Sequence, residues 1–558
     1  MIKTHLITLA HCLIISFIIG CSNSSKNDVA VFSSEITEKD LGLRIKNLSS
    51  DSFQGRAPGT PGGKAASQYI ANEMKAVGLM PMGPDGSYFQ SVELTAQTIL
   101  PDSQMNIKFD KDIVFNGNDL KNSVYWTKRL NENININASE IAFVGYGINA
   151  PEYNWNDYSG IDVKGKTVLI LINDPGFATK DETLFKGNSM TYYGRWTYKY
   201  EEAAKQGAAA AIIIHETAPA SYGWDVVSGS WSGEQYDLVR ADKGASRSAL
   251  EGWISYNKAE EILRKAGHNL KDLKINSVKK NFEAFSIPKL TLTASLKQNV
   301  ETTVSRNVAG GIIGSENPED FVLYMAHWDH LGMNLEIDGP DKIYNGAVDN
   351  ATGTAAIIEI AEAFTGSTRP KRSALFLAVT AEESGLLGSA YYAEKPLVPL
   401  KNTIAGINID AILPLGRTRD MKVIGYGASE LEDLLKNIIE PKGMYIVPDD
   451  KPEAGYYYRS DHISLAKKGV PMLYADPGNE HEDFGLIFGE EFSNEYTKNR
   501  YHKPTDEYNE TWDLSGIKQT SEILYELGYN LTNSTEWPNW YDGTEFKAIR
   551  SEMRSTLE

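Results

Sequence analysis

Cysteine is nearly absent from this chain. Of 558 residues only Cys12 and Cys21 carry a thiol, and both precede the first segment with a helical pattern. That excludes a disulfide framework and thiolate metal sites from the body of the chain, so stability must come from hydrophobic cores and from metals held by other ligands. Positive charge is scarce as well. There are 55 Lys and Arg against 74 Asp and Glu, a net charge of -19, which leaves no basic surface to neutralise phosphates and argues against a nucleic-acid partner. No G-x-S-x-G elbow and no H-E-x-x-H helix motif occurs, which argues against a serine hydrolase and against a thermolysin-type metal site. Beyond the first 20 residues no apolar run is long enough to cross a membrane.

What is present begins with that leader. Lys3 is a weak basic start, LITLAHCLIISFIIG is a short apolar run, and Ile18-Ile19-Gly20-Cys21 resembles a bacterial lipobox. The expectation is a signal peptide over 1–20, lipidation of Cys21, and a tether over 21–35. The protein would be exported and anchored to a cell-envelope membrane through that lipid alone. Residues 36–110 read as helices around the turn-rich GRAPGTPGG, followed by a strand. Residues 111–295 change to short β-type runs with one amphipathic helix feeding AAAAIIIH, an α/β insert. Residues 296–535 alternate apolar strands with helices, which predicts a mainly parallel sheet covered on both faces. Residues 536–558 read as a polar, peripheral tail. The sequence carries no signal for an oligomeric state.

The chemistry concentrates in the second α/β region. FVLYMAHWDHLG runs an apolar strand into His327, Asp329 and His330. ALFLAVTAEESG ends in Glu382 and Glu383, IAGINIDA in Asp410, and VPMLYADP in Asp476. Ligand-type residues beyond the carboxyl ends of several buried strands are hard to explain as solvated caps. Of nine histidines, five (His327, His330, His462, His481, His502) fall in this last part of the chain. His327 and Asp329 are two apart, so on a strand Asp329 could accept the second N–H of His327 and orient it. Mixed imidazole and carboxylate ligands at five positions exceed the needs of one metal ion, and a shared carboxylate suits two.

AHWDH, GAVDNATGTA, AEESGLLGS, NIDA, RSDHISLAKKGVP and YHKPTDE, in this order, resemble the M28 family of dinuclear zinc exopeptidases, and the insert resembles the protease-associated domain of the same family. The resemblance implies two Zn2+ per chain. His327 and Asp410 would bind one, Glu383 and His502 the other, with Asp349 bridging. It implies Glu382 as general base, Tyr501 as oxyanion donor, a cis Asp349–Asn350 peptide, and a peptide substrate. Aminopeptidase activity is the leading expectation. A carboxypeptidase- or dipeptidase-like member and an inactive receptor-like binding protein are the alternatives.

Other residues carry weaker expectations. Asp461 and His462 are expected to orient the site, and Asp476 and His481 to line the cleft or cap a loop. Arg459 is read as a structural ion pair or a reader of substrate carboxylate. Arg195 is placed at the cleft, and Tyr192, Tyr193, Trp196 and Tyr456–Tyr458 are candidates for a side-chain pocket.

Overall fold

The computed structural model describes residues 35–335, 337 and 339–555. The leader and the anchor residue Cys21 lie outside them. Among the described residues no helix is long and apolar enough to cross a membrane.

The chain opens with helices α1 (Glu38–Leu48) and α2 (Pro61–Ala76). Thr37 and Thr60 cap them, each accepting a backbone N–H from the first turn. Strand β1 (Phe89–Ile99) follows. A second sheet then forms around three parallel strands, β2 (Thr167–Leu171), β3 (Ala210–His215) and β4 (Leu250–Ser255), with helix α3 (Trp196–Lys205) feeding β3. Next comes β5, a single strand from Phe285 to Ile312. Its first half pairs with 104–109 and 133–143 in the second sheet, and its later half pairs with β1 in the first. One continuous strand therefore joins the two sheets, and the crossing falls mid-strand near residue 297.

The first sheet continues through β6 (Asn317–His327), β7 (Arg372–Val379), β8 (Thr403–Asn408) and β9 (Met472–Pro477). Its order is β1, β5, β7, β6, β8, β9; the last four are parallel, and β1–β5 and β5–β7 are antiparallel. The architecture is a mixed α/β sheet flanked by helices. Helix α4 (Gly353–Gly366) connects β6 to β7, α5 (Gly485–Asn499) follows β9, and α6 (Ser515–Asn533) closes the domain.

Alternation explains why the parallel strands read as unbroken apolar runs. Val322, Tyr324 and Ala326 of β6 enter the core under α1, α4 and α6, while Phe321, Leu323 and Met325 enter the core on the opposite face. Arg44 of α1, fully buried, locks that first core. Its guanidinium meets Glu359 of α4, Glu362 at 2.7 Å and Glu73 of α2 at 3.2 Å.

The C-terminal tail departs from the sequence expectation. Trp540, Phe546 and Arg550 are buried in the second core face. Arg550, on α7 (Lys547–Ser555), donates to the carbonyls of Thr403 at 3.1 Å and Ile404 at 3.0 Å, at the start of β8. Polar composition hid the docking because few apolar residues carry it, Trp540 and Phe546 buried and Trp537 and Met553 packed at the margins. Trp540→Ala should cost about 3–5 kcal/mol, read as a lower denaturant midpoint for the first sheet. An unchanged midpoint would mean that the tail is dispensable.

Candidate metal centre

The register of the parallel strands brings the candidate residues together. His327 pairs with Val379 and Met325 with Asn408, so β6 and β7 end together and β8 two residues short of them, which puts Asp410 level with His327. His327 closes β6, Asp410 lies two residues past β8, and Glu382 and Glu383 just past β7. Asp349 arrives from the loop before α4, and His502 from the loop after α5.

The distances define two sets around one carboxylate. His327 Nε2 lies 3.1 Å from Asp410 Oδ1 and 3.2 Å from Asp349 Oδ1. His502 Nε2 lies 3.1 Å from Asp349 Oδ2 and 3.2 Å from Glu383 Oε2. Each oxygen of Asp349 therefore faces a different imidazole. Ligand atoms of His327, Asp349 and Asp410 fall within 4.8 Å of one another, as do those of His330, Asp349 and Glu383. Glu382 and Tyr501 line the same cavity of about 400 Å3 as Glu383 and His502. The Tyr501 ring stacks on the His502 ring at 3.9 Å.

Backbone geometry aims these side chains. Ala381, Ala411 and His502 all adopt left-handed conformations, with φ of 55°, 57° and 55°. Each non-glycine residue in that region costs about 1–3 kcal/mol, and all three sit at or beside a candidate ligand. The Asp349–Asn350 peptide is cis. Asn350 ties its loop to the Asp410 loop: Nδ2 donates to Ile409 O at 3.0 Å, and Oδ1 accepts from Ala411 N at 3.0 Å. Ser460 donates to Asp410 Oδ2 at 2.6 Å.

Two further residues hold the loops, and the sequence reading gave neither a role. Arg56, from GRAPGTPGG, is fully buried. It donates to Trp328 O and Leu48 O at 2.8 Å, Asn345 O at 2.5 Å and Gly346 O at 2.9 Å. Burial lowers its pKa to about 10, against the pull of Asp329, Asp349 and Asp506. Asp506, from YHKPTDE, accepts the backbone N–H groups of Val348 and Asp349 at 3.1 Å. Burial raises it to about 6, against those same hydrogen bonds. The available signals were a lone arginine in a Gly/Pro loop and an acid four residues past His502.

Several expectations change. Asp329 does not give its carboxylate to His327. Oδ1 is 3.9 Å from His327 Nδ1, which instead contacts the Asp329 carbonyl at 3.2 Å. Asp329 Oδ1 accepts the Glu382 N–H at 3.0 Å. The strand ends at His327, so the two-residue period no longer holds beyond it. Arg459 makes no ion pair among the described residues. Its guanidinium lies over the rings of Tyr222 and Tyr456 at 5.7 and 5.2 Å, and it donates to Ala454 O at 2.7 Å. Arg195, Tyr192, Trp196 and Tyr458 do line the cavity, whereas Tyr193, Tyr456 and Tyr457 lie elsewhere. His462 is wholly buried between the Tyr457 and Tyr474 rings, and burial lowers its pKa to about 3. His481 Nδ1 accepts the N–H groups of Asp483 and Phe484 at 3.0 and 3.1 Å, a loop cap.

The charges fit divalent cations. Burial pushes Glu382 well above the usual carboxylate range, where His327 pulls it down and Glu383 and Asp410 push it further up. Burial disfavours charge on both histidines, yet Asp410 and Glu382 hold His327 well above its ordinary value, and Glu383 and Asp349 hold His502 at about 10. Among the described residues, Asp329 Oδ2 and His330 Nε2 are buried without a hydrogen-bond partner, and His330 Nδ1 has only the close approach of Glu383 Oε1. Nitrogen and oxygen donors in two sets, with surplus negative charge and unsatisfied buried atoms, are what a pair of small divalent cations requires. Binding must expel the imidazolium protons. Cation titrations in buffers of different ionisation enthalpy should therefore show about two protons released per chain at pH 7, and fewer as the pH rises through about 10, where His502 loses its proton. No release at pH 7 would mean that the rings are not charged.

A model of Peptidase family M28 matches residues 307–528. Aminopeptidase NAALADL1 of Mus musculus is 35% identical over 122 residues, covering 21% of this chain and 15% of that protein. A probable zinc metalloprotease of Pyrenophora teres f. teres is 33% identical over 134 residues, covering 22% of this chain and 25% of that protein. An aminopeptidase structure from Aneurinibacillus sp. strain AM-1 superposes with a TM-score of 0.48 at 19% identity, covering 90% of this chain and 96% of that one. The chain thus spans no more than 25% of the length of the two curated relatives. The matched stretch carries His327, Asp349, Glu383, Asp410 and His502, so it is over residues 307–528 that this chain is similar to peptidase family M28.

Proposed function

We propose that this protein is a zinc-dependent exopeptidase, an aminopeptidase that removes N-terminal residues from peptides. The observation that carries the reading is Asp349, whose two carboxylate oxygens face His327 and His502 separately. His327 and Asp410 would hold one zinc ion, Glu383 and His502 the second, and Asp349 both. Bound there, the ions would supply Lewis acidity that lowers the pKa of a water and polarises a peptide carbonyl.

The chain's own residues do the rest. Glu382 lines the cavity beside these ligands, and its backbone N–H is fixed by Asp329. It would take the proton from the attacking water and pass it to the leaving amine. Tyr501, braced against the His502 ring, presents its hydroxyl as a donor to the developing oxyanion. Glu382 and Asp410 would attract a free α-ammonium placed beside them. Export and tethering through a lipid on Cys21 would place the activity at a cell-envelope membrane.

Arg195 and Arg459 favour one second reading. They line the same cavity, and neither has an ion-pair partner among the described residues. Burial and the neighbouring Arg459 lower the pKa of Arg195 to about 10. An unpaired guanidinium pair suits a substrate carboxylate, so a carboxypeptidase or dipeptidase would use it.

Assays with free and N-acetylated aminoacyl arylamides separate the readings. Chelator-sensitive cleavage of the free-amine compounds alone is the expected result. Turnover of acetylated dipeptides with acidic ends, and none of the arylamides, would favour the carboxylate reader. Glu382→Gln should retain two metal ions per chain and lose about 100- to 10,000-fold in kcat. Full activity in that variant would remove Glu382 from the base role.

A further inference from the structure

His330 has no part in the reading above, yet it is built into the site. Its side chain is wholly inaccessible, and Nδ1 lies 2.6 Å from Glu383 Oε1. The other oxygen of that carboxylate, Oε2, lies 3.2 Å from His502 Nε2. The two oxygens of Glu383 thus face different imidazoles. The His330 and His502 rings stand 5.7 Å apart and nearly perpendicular, at 73°.

The backbone makes room for this ring. Gly346 has φ of 54°, and a Cβ there would sit 2.6 Å from both Cγ and Cδ2 of His330. The carbonyl of Gly346 is itself held by Arg56 at 2.9 Å. A wholly buried imidazole accommodated by a left-handed glycine, with one carboxylate oxygen as its near polar neighbour, is a placed group rather than core filler. At 2.6 Å, Oε1 is the acceptor within reach of Nδ1.

We infer that His330 is a positioning residue for Glu383: it donates Nδ1–H to Oε1 and thereby presents Oε2 alone to the cation shared with His502 and Asp349. Without that donor Glu383 is free to rotate or to chelate through both oxygens, and the second cation loses a fixed ligand. Outer partners of this kind set affinity without touching the ion. The inference rests on the two-cation reading of the site.

The test compares zinc and cobalt binding by the full mature chain and two variants, by competition with a chromophoric chelator. His330→Leu removes the donor, and His330→Gln keeps a side-chain N–H. The unaltered protein should take two ions; if it takes one or none, the two-cation reading fails first and the inference falls with it. Given two ions, His330→Leu should weaken the second about 10–100-fold and leave the first unchanged, with partial recovery in His330→Gln. The cobalt absorption of both variants, at saturation, should keep the intensity of the unaltered protein. Unchanged affinity in His330→Leu would overturn the inference. So would equal loss of the second ion in both variants with an altered cobalt spectrum, which would make His330 a ligand. If His330→Leu does not fold, His330→Asn, whose shorter donor falls short of Glu383, replaces it.

Discussion

Three parallel strands that end within two residues of one another impose most of this structure. Because β6, β7 and β8 pair in register, His327 and Asp410 emerge opposite one another, and Glu382 and Glu383 emerge one strand away. Parallel strands need long crossovers, so each strand end is followed by a loop rather than a tight hairpin. Those loops are where ligands can be presented. The cost is electrostatic. Bringing Asp349, Glu382, Glu383 and Asp410 together in a buried place concentrates negative charge where water cannot dissipate it. Divalent cations at the two ligand sets would relieve that charge.

Charge alone does not fix where loops lie, and the backbone is secured separately. Arg56 satisfies four carbonyls from three segments with one planar group, including Trp328 beside the β6 residues and Asn345–Gly346 ahead of Asp349. Asp506 performs the complementary task, accepting the N–H groups of Val348 and Asp349. The Asp349 loop is therefore gripped through its carbonyls by a cation and through its amides by an anion. With Asn350 bound to the Asp410 loop, the site can hold left-handed residues at three positions without relaxing.

The sequence made the strands and the acids at their ends legible because burial on both faces leaves long apolar runs, and because His, Asp and Glu at such ends are unusual. It was less informative where the determining contact is made to backbone. Arg56 donates only to carbonyls, and no residue pattern marks a carbonyl. Asp329 was assigned from a strand period that stops two residues too early. His330 stood in plain view within AHWDH, but nothing local shows that Gly346, sixteen residues on, leaves space for its ring. The tail was read from its polar composition, while its docking depends on Trp540, Phe546 and one buried arginine.

The second sheet contributes a wall of the cavity, and its attachment decides how firmly that wall stands. β5 runs through both sheets without a linker, so the two cannot hinge freely at that point. On the far side, Met190 N donates to Pro452 O at 3.1 Å, and Glu545 accepts both Tyr192 N at 3.2 Å and the Tyr458 hydroxyl at 2.8 Å. Lys467 pairs with Glu201 of α3 at 2.8 Å. Tyr192 and Arg195, which line the same cavity as Glu382 and His502, lie between these anchors. A side chain held on both flanks loses little entropy when it meets a ligand, so its contacts translate into discrimination rather than into ordering. The groups gathered at the centre are thus set by the first sheet, while on the proposed reading the side chains that would meet a substrate are held against it by the second.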